Sequence, residues 1–182
     1  MKLKTRVFGE IDIDDEKIIT FENGIIGFPD LKRFTLIFNE EKKGGISWMQ
    51  SLDEPVVALP VMNPLAIKED YNPMVEDELL KPLGEMTPEN TFVLVTVTVP
   101  EDIKKITVNL KAPIVINVAE RKAAQIIVEG AEVKYPLQQL PYIQRPSLYT
   151  LDKVSALEPV DLRKNSRIKM FFHAAALLQK EA

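Results

Sequence analysis

Cysteine is absent from the 182-residue chain, and histidine occurs once, as His173. Without cysteine there are no disulfides, thiolate metal ligands or cysteine nucleophiles, which suits the cytosol. One histidine cannot supply a zinc site, which needs several His or Cys ligands. A Ser-His-acid triad would have to use His173, and no G-x-S-x-G turn accompanies it. These absences predict a protein that is not an enzyme and that carries no metal or cofactor.

Long apolar runs are missing as well. No stretch approaches the roughly 18 to 20 apolar residues of a membrane helix, and the first residues lack the apolar core of a signal peptide. Neither a G-x-x-x-x-G-K-[ST] phosphate loop nor a G-x-G-x-x-G fingerprint occurs. We therefore expect a cytoplasmic protein that does not bind membranes.

The charge of the chain is divided unevenly. Residues 1–140 hold 16 Lys and Arg against 23 Asp and Glu, a net charge of −7, whereas residues 141–182 hold 7 against 4, a net charge of +3. An acidic body does not suit nucleic acid, because phosphate contacts need positive partners. It does suit a basic protein partner, whose approach it would steer.

Three acidic runs are candidates for calcium or acid–base sites: residues 14–16, 76–78 and 101–102. None follows the EF-hand pattern, and all fall in predicted turns or helix starts. Solvated turn acids are the favoured interpretation.

Short strands dominate the chain up to about residue 135. The runs are rich in β-branched and aromatic residues, alternate apolar with polar residues, and are separated by Gly and Pro turns. Such a series predicts an all-β fold, a small antiparallel β-barrel-like domain. The predicted strands cover residues 6–14, 17–21, 33–38, 46–50, 55–62, 91–99, 106–110, 114–117 and 125–128.

Helical signals are few. Residues 76–84 begin with acids and end at a glycine, which predicts one or two helical turns. Residues 117–125 fit either a turn of helix or a polar hairpin loop, and the loop is favoured. Residues 165–182 place apolar residues at positions 168, 171, 172, 175 and 178, the spacing of an amphipathic C-terminal helix. We divide the chain into a barrel domain, residues 1–140, and a proline-punctuated linker with a helical tail, residues 141–182.

One segment combines a buried strand with an unusual continuation. The strand at 55–62 ends in Asn63-Pro64, a turn signal, and apolar residues follow before Tyr71. These apolar residues either fold back onto the core or remain exposed as a partner-binding patch with Tyr71 as its anchor. The candidate partner-binding residues are those of this segment and of the acidic run after it: Met62, Asn63, Pro64, Leu65, Ile67, Asp70, Tyr71, Glu76, Asp77 and Glu78.

Other positions are interpreted as structural turn residues. Glycine supplies positive φ and proline fixes φ, while Asn side chains bond local backbone at strand ends. On these grounds the turn residues are Gly24, Gly27, Pro29, Asn109, Pro113 and Asn117.

Four motifs, in this order, resemble the FliW family of bacterial flagellar assembly factors. They are ITFENGIIGFPDLKRF at residues 19–34, WMQSLDEP at 48–55, VMNP at 61–64 with the Asp70-Tyr71 pair, and VNLKAPIVIN at 108–117. The similarity extends from about residue 3 to 140. The chain departs from the family at Ile26, where a proline is common, and in a less aromatic 61–64 loop.

The resemblance implies a barrel-like fold without catalytic activity and two alternative protein partners. One is flagellin, bound through its C-terminal helical region, and the other is CsrA, an RNA-binding repressor of flagellin translation. When flagellin is secreted, the freed factor would bind CsrA and relieve the repression. A small-ligand-binding β-barrel is the alternative function.

The tail lies outside this resemblance, and three interpretations of it stay open. It caps the barrel of its own chain, it exchanges onto a neighbouring chain, or it occupies the flagellin site as an internal mimic. In the last case, deletion of residues 150–182 raises the affinity for flagellin.

Overall fold

The computed structural model describes residues 1–38, 45–130 and 135–136 of the chain. The predicted tail helix, the linker before it and His173 lie outside the described residues. The regular secondary structure of the described chain is mainly β-strand, with one short α-helix, α1, at Asp77–Leu80. The strands are β1 Lys2–Thr5, β2 Gly9–Asp12, β3 Ile18–Phe21, β4 Arg33–Ile37, β5 Ser47–Ser51, β6 Ala58–Met62, β7 Thr91–Thr98, β8 Thr107–Val108, β9 Ile114–Asn117, β10 Lys122–Gln125 and β11 Tyr135–Pro136.

Seven of these strands form a closed barrel, in the order β7, β6, β5, β4, β3, β10, β9 and back to β7. The prediction of an all-β, barrel-like domain is confirmed. Within the ring, every neighbouring pair is antiparallel except β3 and β10, which run parallel and pair Lys122 with Thr20 and Ala123 with Phe21. The expectation of a purely antiparallel sheet is corrected at this one seam. The β1–β2 hairpin and the β8–β11 pair extend the fold outside the ring.

Alternating residues of the ring fill its interior. Phe21 and Phe34 pack edge to face with ring centroids 5.2 Å apart, and such pairs stabilise a core beyond their buried area. The cluster around them comprises Ile19, Phe21, Ile25, Phe34, Leu36, Met49, Val61, Phe92, Leu94, Ile114, Ile116 and Ala123. The interior of the barrel is therefore filled with packed side chains.

Two sequence predictions of local structure were wrong. The alternation over residues 6–14 is not one strand, because the chain turns between β1 and β2 and Gly9 adopts a φ of 72°. The predicted strand at 125–128 lies instead at Lys122–Gln125. The hairpin loop favoured over 117–125 is confirmed in type, because a turn at residues 118–121 joins the antiparallel β9 and β10, but it is shorter than predicted; Arg121 in it adopts a φ of 54°.

The short helix predicted at 76–84 is confirmed. α1 continues into a 3-10 turn at Lys81–Leu83, and Gly84 ends it with a φ of 89°. Leu83 packs on the outer surface of the barrel with three other buried residues: Val115, Ile126 and Val128. Ile126 and Val128, which follow β10, are thus buried beneath this helical segment rather than in a further strand.

Candidate partner-binding surface

The segment from Met62 to Tyr71 is held to the barrel by apolar contacts. Met62 and Ile67 are buried at 3% and 4% exposure and pack against Val95 and Leu110, among others. Asn63 begins a 3-10 turn at Pro64–Ala66, in which its Oδ1 accepts a hydrogen bond from Leu65 N–H at 2.9 Å. Most apolar residues of the segment therefore face inward.

Tyr71 also points inward at one end of this segment. Its hydroxyl donates a hydrogen bond of 2.6 Å to the backbone carbonyl of Leu110. Partial burial raises the pKa of Tyr71 to about 12, because burial disfavours the charged phenolate. The Tyr71 hydroxyl thus ties the segment to Leu110, two residues after β8.

The outer face of the segment offers one apolar and several charged side chains. Leu65 is 37% exposed, and Lys68 Nζ lies 2.6 Å from Asp70 Oδ1. The hydrogen bond and the charge of Lys68 lower the pKa of the exposed Asp70 carboxyl. Asp70 is therefore a fixed negative charge at neutral pH.

A second exposed acidic surface lies at the start of α1. Glu76 precedes the helix, and Asp77 and Glu78 occupy its first turn, where negative charge suits the helix dipole. All three side chains are exposed. Met74, two residues before Glu76, is 91% exposed.

Asn117 fixes the position of the α1 segment on the barrel. It is fully buried, and its Nδ2 donates to the carbonyls of Leu83 at 2.9 Å and Glu85 at 3.1 Å. Its Oδ1 accepts from the N–H groups of Ala119 and Glu120, both at 3.1 Å. One side chain thus shapes the β9–β10 turn and joins it to the helical segment.

The backbone of the turn at residues 24–29 is also closely constrained. Gly24 adopts a φ of 67°, and a Cβ there would lie 2.5 Å from the carbonyl oxygen of Pro29. Gly27 has a φ of 89°, with open space around its Cα. Ile26 is 52% exposed at the tip, and its N–H donates to Gln125 Oε1 at 2.9 Å.

Asn109 and Pro113 organise the approach to β9. Asn109 Oδ1 accepts from Lys111 N–H at 3.0 Å and Ala112 N–H at 3.2 Å. The Pro113 carbonyl accepts from Ile126 N–H at 2.9 Å. Both residues therefore hold the backbone beside β9 and β10, the strands against which the α1 segment packs.

An open groove of about 980 Å³ separates α1 and its following turn from β3 and β10. We call it the α1–β10 groove. Its walls carry Leu79 and Ile127, which are 45% and 65% exposed. Of the candidate partner-binding residues, only Glu78 lines it; the segment from Met62 to Tyr71 lies elsewhere on the barrel.

Sequence reasoning missed Leu79, Ile127 and Gln125. Leu79 has the spacing of a buried helix residue, and Ile127 lies in an apolar run that resembles a strand. Their exposure depends on how α1 lies over the barrel, which local patterns do not encode. Gln125 connects distant parts of the chain, since its Nε2 also donates to the Ala112 carbonyl at 3.1 Å.

Within residues 1–38 and 45–130, no three His, Asp or Glu side chains are grouped so as to hold a metal ion. None of the helices in the described part of the chain has the length and apolar character that crossing a membrane requires.

Comparison with known proteins supplies a family. The model of the family described as FliW protein matches residues 2–140. A protein of Lachnospira eligens named "Flagellar assembly factor FliW" is 48% identical over 145 residues, covering 77% of this chain and 96% of that protein. Proteins of the same name from Lachnoclostridium phytofermentans and Thermotoga sp. strain RQ2 are 47% and 39% identical, covering 76% and 77% of this chain and 92% of each relative.

A solved structure agrees with these similarities. It is titled "Crystal structure of the flagellar assembly factor FliW", is 30% identical in sequence, and superposes with a TM-score of 0.69. The match covers 75% of this chain and 96% of that one. By sequence and by fold, the chain belongs to the FliW family.

Proposed function

We propose that the chain is a non-enzymatic flagellar assembly factor that acts by exchanging two protein partners in the cytoplasm. It binds flagellin through the C-terminal helical region of flagellin. When free of flagellin, it binds CsrA and antagonises repression of flagellin translation. The observation that carries this proposal is the family match over residues 2–140, together with relatives named as flagellar assembly factors.

The charge of the barrel supports a basic partner. Residues 1–140 carry a net charge of −7, and an RNA-binding repressor has to present positive charge to phosphates. Complementary charge accelerates association and orients the partners. The same acidic surface does not favour direct nucleic-acid binding by this chain.

The proposed contact residues fall into two groups. Leu65, Asp70 and the acids Glu76, Asp77 and Glu78 offer exposed side chains to a partner. The remaining candidates support this surface from beneath or from its flanks: Met62, Asn63, Pro64, Ile67 and Tyr71. A partner on the 62–71 segment would meet the exposed Leu65 and the Asp70 carboxylate, whereas a partner at the start of α1 would meet the three acids.

A matched pair of neutralised variants tests the proposal. We expect Glu76→Gln/Asp77→Asn/Glu78→Gln to weaken CsrA binding about tenfold at low salt, because three charges near an interface each contribute a few tenths to about 1 kcal/mol. The control Glu10→Gln/Asp12→Asn/Asp14→Asn removes the same amount of charge from β2 and from the residues that follow it. Equal weakening of CsrA binding by both variants would mean that the total charge of the barrel matters and that the position of the acids at α1 does not. No CsrA or flagellin binding by the unaltered chain would refute the proposal itself.

The packed interior does not favour the small-ligand alternative. Phe21, Phe34, Ile114 and Ile116 lie inside the ring, and all four are 0% exposed. A ligand held inside the barrel would have to displace these side chains. The ligand-binding function is therefore not the one that we propose.

A further inference from the structure

The α1–β10 groove is apolar where its walls face each other. Leu79 projects from α1 and Ile127 follows β10, and both are substantially exposed. Beneath them lie the buried Leu83 and Ile126. An exposed apolar strip above an apolar floor is the type of surface that accepts the apolar face of a helix.

The charged residues of the groove are mostly negative. Four carboxylates line it, from Asp15, Glu22, Glu78 and Glu120, against the two cations Arg121 and Lys122. The Glu78 carboxylate also pairs with Lys81 at 3.2 Å. An occupant with an apolar stripe and positive charge would complement this groove best.

The end of the chain has this composition. Residues 162–180 contain no acid, and they carry Arg163, Lys164, Arg167, Lys169 and Lys180 beside the apolar positions spaced for a helix. These residues lie outside the described part of the structure. Their sequence nevertheless matches the groove in both apolar character and charge.

The chain is also long enough to reach. Its last described residue, Pro136, pairs with Thr107 of β8. About 27 residues separate it from Lys164, and such a length spans up to about 90 Å when extended. A domain of this size has a radius of gyration of about 14 Å. The segment can therefore reach any face of its own barrel.

We propose that residues 163–182 dock as an amphipathic helix in the α1–β10 groove of the same chain. The apolar side chains at 168, 171, 172, 175 and 178 face Leu79 and Ile127, and the basic residues of the segment face the groove carboxylates. Docking within one chain is favoured because the tether keeps the effective concentration of the segment high.

Disulfide trapping tests this docking in the full chain, whose lack of cysteine leaves only the introduced thiols. We would combine Ile127→Cys with Ile168→Cys, Phe171→Cys or Leu178→Cys, one tail position at a time. The matched controls pair Leu65→Cys, at an exposed site on the 3-10 turn after β6, with the same tail positions. A disulfide needs Cα atoms within about 7 Å, so the rate of closure reports proximity.

We expect at least one Ile127→Cys pair to close within a monomer at least about tenfold faster than its control. Leu79→Glu, on an exposed side chain, is expected to remove this advantage, and raising salt from about 0.05 to about 0.5 M to reduce it. Thermal unfolding of the Leu79→Glu chain checks that the barrel is intact.

Two outcomes would overturn the proposal. Equal closure rates for groove and control pairs at all three tail positions would show that the segment does not dock there. A crosslinked dimer in place of a crosslinked monomer would assign the groove to a second copy of the chain. Neither measurement contains flagellin or CsrA, so its failure is separate from failure of the proposed function.

Discussion

Asn117 Nδ2 lies 2.9 Å from the carbonyl oxygen of Leu83, and this hydrogen bond joins the end of β9 to a helical segment 34 residues earlier in the chain. The same amide also shapes the β9–β10 turn. The position of α1, and with it one wall of the α1–β10 groove, depends on this buried side chain.

Loss of the Asn117 amide is expected to be costly. Asn117→Ala leaves the buried Leu83 carbonyl and the partly exposed Ala119 and Glu120 N–H groups without their partner, and an unsatisfied buried group costs about 1–3 kcal/mol. We expect the free energy of unfolding to fall by about 2–4 kcal/mol in urea titrations. The exposed Asn72 provides the control, since Asn72→Ala should change it by less than about 0.5 kcal/mol. Similar values for both variants would contradict the assigned role of Asn117.

The two glycines of the 24–29 turn should respond differently to alanine. Both have positive φ, which costs an L-residue about 1–2 kcal/mol, but only at Gly24 would the new Cβ overlap backbone, 2.5 Å from Pro29 O. Gly27→Ala should therefore lose about 1 kcal/mol of unfolding free energy and Gly24→Ala about 3 kcal/mol or more. Thermal or urea unfolding of both variants measures the difference. Equal losses would mean that the turn relaxes around Gly24.

Asp53 should contribute stability that depends on pH. Burial alone raises the pKa of the Asp53 carboxyl, but hydrogen bonds from Arg33 Nε and from the N–H groups of Lys32 and Arg33, with the Arg33 charge, lower it overall from 3.8. A depressed folded-state pKa means that the contribution is present above pH 3.8 and is lost as pH falls through the folded-state pKa. Hydrogen bonds to a charged group are worth about 1.5–3 kcal/mol.

The expected result is that Asp53→Asn destabilises the protein by about 1–2 kcal/mol at pH 7 and that the difference narrows below pH 4. Asp70→Asn is the matched control, since solvent screens the exposed Asp70–Lys68 pair and its loss should change stability much less than the loss of Asp53. Urea unfolding across this pH range gives both numbers. A difference that persists unchanged at low pH would argue against the ionic role of Asp53.

Tyr71 should be sensitive to alkaline pH. Its pKa is raised to about 12, so the unfolded chain releases the phenol proton near pH 10 while the folded chain retains it. Stability from Tyr71 is therefore present below pH 10 and lost between about pH 10 and 12. Tyr71→Phe should remove this part of the pH slope and lower stability by about 1 kcal/mol at neutral pH, because Leu110 O loses its partner. Identical alkaline slopes in the two proteins would refute the assignment.

Local sequence patterns predicted those elements whose structure follows from residues adjacent to one another in the sequence. The β-branched run of β7 is a strand, and the acids and Gly84 define the bounds of the α1 segment. The β1–β2 turn was missed because the apolar–polar alternation continues through Arg6, Val7 and Phe8 into β2. The predicted strand begins three residues after the true start of β10. The first residues of β10 are polar or alanine, and pairing with β9 and β3 fixes its register.

The candidate surface depended on contacts between distant residues. The apolar content of the 62–71 segment was visible, but whether Ile67 and Tyr71 faced outward depended on β7 and β8. Leu79 and Ile127 are exposed for the converse reason, because both line the open α1–β10 groove and no other described element covers them. Sequence periodicity reports which faces are apolar and does not report which of them another element covers.

A competition titration is the most direct test of the proposed exchange between flagellin and CsrA. The full chain is saturated with purified flagellin, and CsrA is then added in a calorimeter, with CsrA added to the free chain as reference. If the two partners exchange on one chain, the free chain binds each of them and bound flagellin abolishes the heat of CsrA binding. A chain that binds neither partner, or that holds both in one ternary complex, would contradict it.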